Sequence, residues 1–331
     1  MPIFTEILWL VAARIRVAKL VGSDFSLQSC NLAIEDIYLP AFVAEAIERL
    51  FGECSCDLLL LGPLSGRTAM IDEILTVALP LVDFIQETES IGSGCATRFE
   101  LPSDFSSYLN GIGSRQRGNY KRAMKQWAER SHIKADIVRA ANEIRDEFGR
   151  FAVLHEEQWK QAGKLGHFGD WPAAMEFNRD LVECFSVQDK VRFYRIQADD
   201  TVATSQYCFV HNRTNYWRLP ARAGIHDGER LGLGRLGLVK MIEDSIADGI
   251  SIIEGGRGHY DYKVQLGATE WPLRTVQIMR SGTTVWLRVK LFRMFARLLN
   301  LAYYKVFFLR ITPRFRWLNR PLWATWIRST W

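Results

Sequence analysis

Residues 228–263 read GERLGLGRLGLVKMIEDSIADGISIIEGGRGHYDYK. Gly228, Gly232 and Gly234 punctuate a turn. The spacing then predicts a helix over 232–247 that stops at Gly249, followed by a short apolar strand over 250–254. A second glycine cluster delivers His259, Tyr260, Asp261, Tyr262 and Lys263. A turn of bare backbone amides that opens a helix is a ready anion site, because its N–H groups and the helix dipole point at the same ligand. Arg230, Leu231, Gly232, Leu233, Gly234 and Arg235 are therefore the expected cofactor-binding residues.

Upstream of this turn the pattern has period two. Residues 191–198, 202–211 and 215–222 read as three strands joined at Asp199-Asp200 and Asn212 to Thr214, an antiparallel meander. A strand is expected over 133–138 and a helix over 144–162, with Phe148, Phe151, Leu154, His155 and Trp159 at helical spacing. Ser103-Asp104 is a helix-capping pair. The following SRQRGNYKRAMKQWAER places Arg115, Lys121, Arg122 and Lys125 on one basic face. Nearer the start, 40–51 and 68–79 read as helices. Residues 57–61 (DLLLL) read as a buried strand closed by Gly62-Pro63, 95–101 as a strand and 272–279 as a last strand. The class is α/β (α+β) with mixed, mainly antiparallel sheets. Antiparallel strands, an anion-facing turn, a helix and a parallel strand follow the core order of an N-acetyltransferase fold, although periodicity alone leaves this one α/β arrangement among several.

A chain of 331 residues usually folds as more than one domain. No uninterrupted apolar run is long enough to span a bilayer. The N-terminal ILWLVAARIRVAKLV is broken by Arg14, Arg16 and Lys19 and lacks a preceding basic region, which argues against a signal peptide. The six cysteines form no CxxC. Cys54 and Cys56 would point the same way on a strand, but reduced core cysteines and a cytoplasmic location are the expectation, with no metal. The net charge of +5 is unevenly spread. No Asp or Glu follows Glu270, and 271–331 carry twelve Lys and Arg; residues 1–270 hold thirty basic and thirty-seven acidic residues, a net of −7.

Four stretches carry a family likeness. GERLGLG…DG…GGRGHYDYK resembles the C-terminal half of Fem-like acyltransferases of the GNAT superfamily. Together with DLLLLGPL, SRQRGNYKRAMKQW and FAVLHEEQWKQAGKLGHF, it is most similar to CelD/BcsL-type acetyltransferases associated with cellulose and exopolysaccharide. The likeness covers about residues 35–280. It implies tandem GNAT-like halves: a shortened first half over 1–142, a second half with the donor site over 143–283, and a basic, aromatic tail over 284–331. Relatives usually begin some tens of residues earlier. This chain also has Glu229 where Arg or Gln is usual, and Pro220 where a small residue is usual; Arg230 and Arg235 can offset the Glu229 charge.

The resemblance further implies acetyl-CoA or another acyl-CoA as co-substrate, with no tightly bound cofactor. The acceptor would be an amine or hydroxyl of a sugar or envelope polysaccharide precursor. Lys263 and Tyr262 would lie beside the transferred acyl group, as oxyanion stabiliser and general acid, and His155 would be an acceptor base. Arg115, Arg122, Trp159, Trp217, Arg257 and His259 are the expected substrate-binding residues; Arg117 and Lys121 belong to the same basic helix. Two rival readings stand beside this one. One is a Fem-like transferase using aminoacyl-tRNA, the only route by which nucleic acid enters. The other is a non-catalytic, membrane-associated partner of a polysaccharide synthesis complex.

In the tail, a helix from Trp286 to Phe308 puts Lys290, Arg293, Arg297, Asn300 and Lys305 on one arc of about 140°. Leu287, Leu291, Met294, Phe295, Leu298 and Leu301 lie largely opposite. With Phe315, Trp317, Trp323, Trp326 and Trp331 beyond, the tail suits either an anionic membrane surface, through 285–331, or docking on the rest of the chain.

Overall fold

The computed structural model describes residues 3–23, 34–65, 69–89, 94–130, 132–161, 166–169, 171–224, 232–311, 314–315, 325 and 328. In chain order the elements are β1 (Ile3–Leu10), β2 (Ala13–Leu20), α1 (Leu39–Glu48), β3 (Leu58–Ser65), α2 (Met70–Ala78), β4 (Phe84–Glu89), β5 (Cys95–Glu100), α3 (Phe105–Gly111) and α4 (Ser114–Arg130). Then come β6 (Ile133–Val138), α5 (Ala141–Gln161), α6 (Ala174–Ser186), β7 (Val191–Ala198), β8 (Thr201–His211), β9 (Thr214–Arg222), α7 (Leu233–Ala247), β10 (Ile252–Arg257), α8 (Asp261–Gln265), β11 (Thr269–Met279) and α9 (Thr283–Leu299). A π-helical stretch, Asn300–Ile311, continues α9. Residues 1–96, 257–259 and 271–331 make one compact unit; residues 97–256 and 260–270 make the other.

In the first unit β1 and β2 form a hairpin, β2 runs parallel to β3, and β11 lies antiparallel to both β3 and β4. Successive side chains of β3 point to opposite faces. Leu59 and Leu61 join Val43, Ile47, Ile71 and Ile74 of α1 and α2, whereas Leu58 joins Ile15, Val17, Val289 and Phe292 beneath α9. A sheet covered on both faces explains why DLLLL is a continuous apolar run rather than an alternating one. The strand does not close at Gly62-Pro63 but runs on to Ser65. A Cβ on Gly62 would fall 2.8 Å from the Thr275 backbone on the bulged β11, so the close approach of the two strands requires glycine there. Buried Asp57 accepts hydrogen bonds from the Arg16 amide at 2.9 Å and from Arg288 at 2.8 Å, tying α9 to the sheet. Cys54 and Cys56 lie in the turn before β3, not on a strand; Cys54 is exposed and Cys56 buried, so they share no face. Cys184 is exposed as well, so Cys54 and Cys184 are not the core cysteines expected, whereas Cys56 and Cys208 are buried.

The second unit is built on the meander expected from period two. β6, β7, β8 and β9 pair antiparallel in sequence, β10 adds parallel to β9, and β5 pairs β10. Asn212 and Arg213 both have positive φ, as a two-residue hairpin turn between right-twisted strands demands. One face of the sheet presents Phe193 and Tyr207 to Phe148 and Phe151 of α5. The other presents Tyr194, Cys208 and Trp217 to Leu238, Met241 and Ile242 of α7. Asp104 caps α3 by accepting from the Ser107 amide at 2.8 Å.

Helix α7 can lie this close to the sheet because Gly237 faces it. A Cβ there would sit 2.5 Å from Thr204 Oγ1 and 2.7 Å from Gln206 Nε2. Gly237→Ala is therefore expected to lose about 1–3 kcal/mol through overpacking, read from the urea midpoint at constant m-value.

Candidate active site

A cleft of about 720 Å³ opens within the second unit. α7 contributes its N-terminal end, Gly232 to Leu236, and α4 contributes Gln116, Asn119, Tyr120, Arg122 and Gln126. β8 supplies Thr204 and Gln206, β9 supplies Trp217 and Pro220 to Arg222, and α8 supplies Tyr262 and Leu266. The cleft follows from how β9 leaves the sheet. β10 pairs with β9 over Thr214 to Tyr216. Immediately after, the β8 register steps from Cys208↔Trp217 to Tyr207↔Leu219, leaving Arg218 as the extra residue of a bulge. A bulge bends its strand and raises its twist, so β9 from Trp217 onward departs from its parallel neighbour.

Gly232 is the N-cap of α7 at φ +67, a left-handed conformation that glycine adopts without a Cβ penalty. Its carbonyl accepts from the amides of Arg235 and Leu236. The amides of Leu233 and Gly234, in the first turn, have no acceptor within the helix and carry its positive dipole end. Among the described residues the cleft has three guanidinium-bearing side chains, Arg122, Arg222 and Arg235, and no carboxylate. An anion is the ligand this lining favours. Arg230 and Leu231 of the expected site, and Glu229 beside them, lie outside the described residues.

Buried Gln206 is a feature that periodicity did not single out. Its Nε2 donates to Thr204 Oγ1 at 2.9 Å, and that hydroxyl donates to the Ala221 carbonyl at 3.1 Å. Its Oε1 has no donor among the described residues. A buried acceptor left unmade costs about 1–3 kcal/mol, so a ligand N–H or O–H would recover that energy here.

The other expected residues divide. Tyr262 and Trp217 line the cleft. Lys263 is buried beside them: its Nζ donates to the Gly255 carbonyl at 2.6 Å and lies 5.1 Å from the centroid of the Trp217 ring. Burial raises the Tyr262 phenol above the usual tyrosine range, with Tyr260 adding to the shift. Arg115 is exposed on α4 away from the lining, whereas Arg122 is in it. Arg257 and His259 belong to the first unit. His155 is fully buried. Its Nδ1 lies 2.8 Å from the Pro220 carbonyl, which fixes Nδ1 as the protonated nitrogen; its Nε2 accepts from His167 Nδ1 at 3.0 Å. Trp159 packs against both imidazoles. Next to this pair, Gln158 Oε1 accepts the Arg222 amide at 2.8 Å. The edge of β9 at 220–222 is thus held by side chains of α5. Desolvation pushes the His155 imidazole down to about 4, helped by the Arg218 charge, so it is neutral near pH 7.

Residues 114–264, which include nearly all of this cleft, match the family described as an acetyltransferase (GNAT) domain. Those residues therefore carry a GNAT-type fold, consistent with the meander, the splayed β9 and the helix-opening turn. Solved structures with a similar fold include FemX, at 9% identity over 88% of this chain and 85% of that chain, with a TM-score of 0.57. Another is the C-terminal domain of a putative lysylphosphatidylglycerol synthetase from Agrobacterium fabrum, at 9% identity, covering 86% of each chain, with a TM-score of 0.51. A conserved protein of unknown function from Bacteroides thetaiotaomicron matches at 9% identity over 83% of this chain and 86% of that one, with a TM-score of 0.52. Such identities bear on fold alone. A comparison with curated proteins finds no sequence match. No helix among the described residues is long and apolar enough to cross a membrane.

Proposed function

We propose that this chain is an acyltransferase that moves an acetyl or other acyl group from acyl-CoA to an amine or hydroxyl of a sugar or envelope polysaccharide precursor, as in the CelD/BcsL-type proteins. The observation that carries the reading is the cleft at the N-terminus of α7 beside the bulged β9, whose described lining holds three guanidinium groups and no carboxylate. The donor's phosphates would lie on the amides of Leu233 and Gly234 with Arg122 and Arg235 near them. The acceptor would attack the thioester carbonyl directly and give up its own N–H or O–H proton to solvent, and the bond to sulfur would break as the tetrahedral oxyanion collapses. Tyr262, kept protonated by burial, is suited to give its proton to the leaving thiolate. Lys263 supplies fixed positive charge beside Trp217. With both ring nitrogens engaged, His155 is suited to hold Pro220 and the edge of β9 rather than to shuttle a proton. Gln206 Oε1 would accept a hydrogen bond from donor or acceptor.

The test is a calorimetric titration with acetyl-CoA on the wild type and on Gly234→Glu. A Cβ at Gly234 meets nothing within 4 Å, so the substitution adds a carboxylate without a clash, and negative charge in a first helical turn does not weaken the helix. Micromolar binding is expected, weakened at least about tenfold in the variant, which corresponds to about 1.4 kcal/mol. No binding at millimolar acetyl-CoA overturns the proposal. Exposed Arg115, Lys121, Arg122 and Lys125 on α4 keep aminoacyl-tRNA as a second donor; tRNA that copurifies with the chain and binds where acetyl-CoA does not would decide for it.

A further inference from the structure

We infer that α9 and its continuation form a docking surface for an anionic lipid bilayer, independently of which acyl donor the cleft takes. α9 carries two apolar stripes at the same spacing. Val285, Val289, Phe292 and Ala296 are buried against Leu8, Ile15, Val17 and Leu58 of the first unit. Leu287, Leu291, Met294 and Leu298 are offset from them by two residues, which at about 100° per residue places them on the opposite side of the helix. That second stripe stays in solvent: Leu287 is 50%, Met294 47% and Leu298 56% exposed. Leu301, Val306 and Leu309 extend the exposed apolar surface along the π-helical stretch. A helix that only packs on its own unit turns a polar face outward, and this one does not.

The charge beside the outer stripe is of one sign. Lys290 and Arg297 are exposed within about 80° of it, and Lys305 and Arg310 are exposed beyond it. No Asp or Glu occurs anywhere in 271–331. Trp286, half exposed, lies under Lys290, with the ammonium 4.3 Å from its ring centroid. An apolar row, flanking cations and a tryptophan form the composition of a helix lying in the headgroup region of an anionic membrane. The uniform positive charge disfavours a second copy of the same face, since like charges would meet across the two-fold axis.

The full chain should be sedimented with vesicles of phosphatidylcholine alone and with vesicles in which about a quarter of the lipid is phosphatidylglycerol. Binding to the anionic vesicles is expected to be at least about tenfold stronger, and to weaken at about 1 M salt, where the Debye length falls to about 3 Å. Leu291→Glu with Leu298→Glu should abolish it, and Lys290→Gln with Arg297→Gln should cut it severalfold. All four side chains are exposed, so an unchanged thermal midpoint shows that the variants are folded. Equal or absent binding to the two vesicle types overturns the inference. So does a dimer in solution that the leucine variant dissociates without any vesicle binding by the wild type.

Discussion

Arg195→Met is expected to destabilise the second unit by about 3–5 kcal/mol. Arg195, on β7, donates through Nη1 to Glu147 Oε2 at 2.8 Å and pairs with Asp136 on the adjacent β6. Glu147 is 1% exposed, and its other cationic partner among the described residues, Arg150, is largely exposed. Removing the guanidinium leaves the buried Glu147 carboxylate with a solvent-screened partner and takes from Asp136 the cation it faces across β6 and β7. Methionine recovers the packing of the aliphatic stem, worth about 1–2 kcal/mol, which is smaller than the desolvation left uncompensated. Urea denaturation of the single variant and of Arg195→Met with Glu147→Leu separates the terms. The double variant should recover most of the loss, because a buried pair replaced by apolar groups is close to neutral. A single-variant loss below about 1 kcal/mol would show that the pair behaves as a surface one.

The second large effect is acid sensitivity centred on the imidazoles of α5 and the loop after it. Burial pushes both His155 and His167 below the usual histidine range, His155 to about 4. The folded chain thus binds these protons less tightly than the unfolded one. Stability from this source is fully present above about pH 6.5, is lost as the unfolded state takes up protons between there and about pH 4, and falls no further below that. Between pH 7 and pH 5 the loss from His155 is about 2 kcal/mol, and His167 adds in the same direction. His155→Gln keeps a donor for the Pro220 carbonyl but cannot titrate. Its stability should fall less steeply over the same interval, by about one proton in slope. Parallel pH profiles for the two proteins would refute the assignment. Because the same ring holds the edge of β9, loss of acetyl-CoA affinity on acidification should follow this transition rather than the titration of any residue in the cleft.

The meander was readable because Asp199-Asp200 and Asn212 to Thr214 mark its turns by local chemistry, even though β7 and β8 are buried on both faces and so do not alternate strictly. Asp104 was readable as a cap because its chemistry is local. The opening hairpin was not: Lys19 is buried and paired with Glu6 on the neighbouring strand at 2.6 Å, so a charge that points inward looks, in sequence, like a solvated one. Helix α6 and strand β4 escaped notice as well. In the site, the glycines before α7 stood out because positive φ and bare amides have a residue signature. Gln206 had none, since an amide on a strand becomes informative only when its surroundings leave one oxygen without a donor. His155 stood out on its helix, but that it meets His167 and Pro220 depends on a loop and a strand far away in the chain.

By itself, the order of residues determined the strands of the meander, the glycine turn that opens α7 and the concentration of positive charge after Glu270, all consequences of short-range geometry and composition. Tertiary structure alone decided that β9 bulges at Arg218 and parts from β10, that α4 and α7 then line a cleft with no carboxylate among the described residues, and that one apolar stripe of α9 is buried while the other stays exposed. These depend on which surfaces meet, and an amphipathic pattern says that a face must be covered without saying by what.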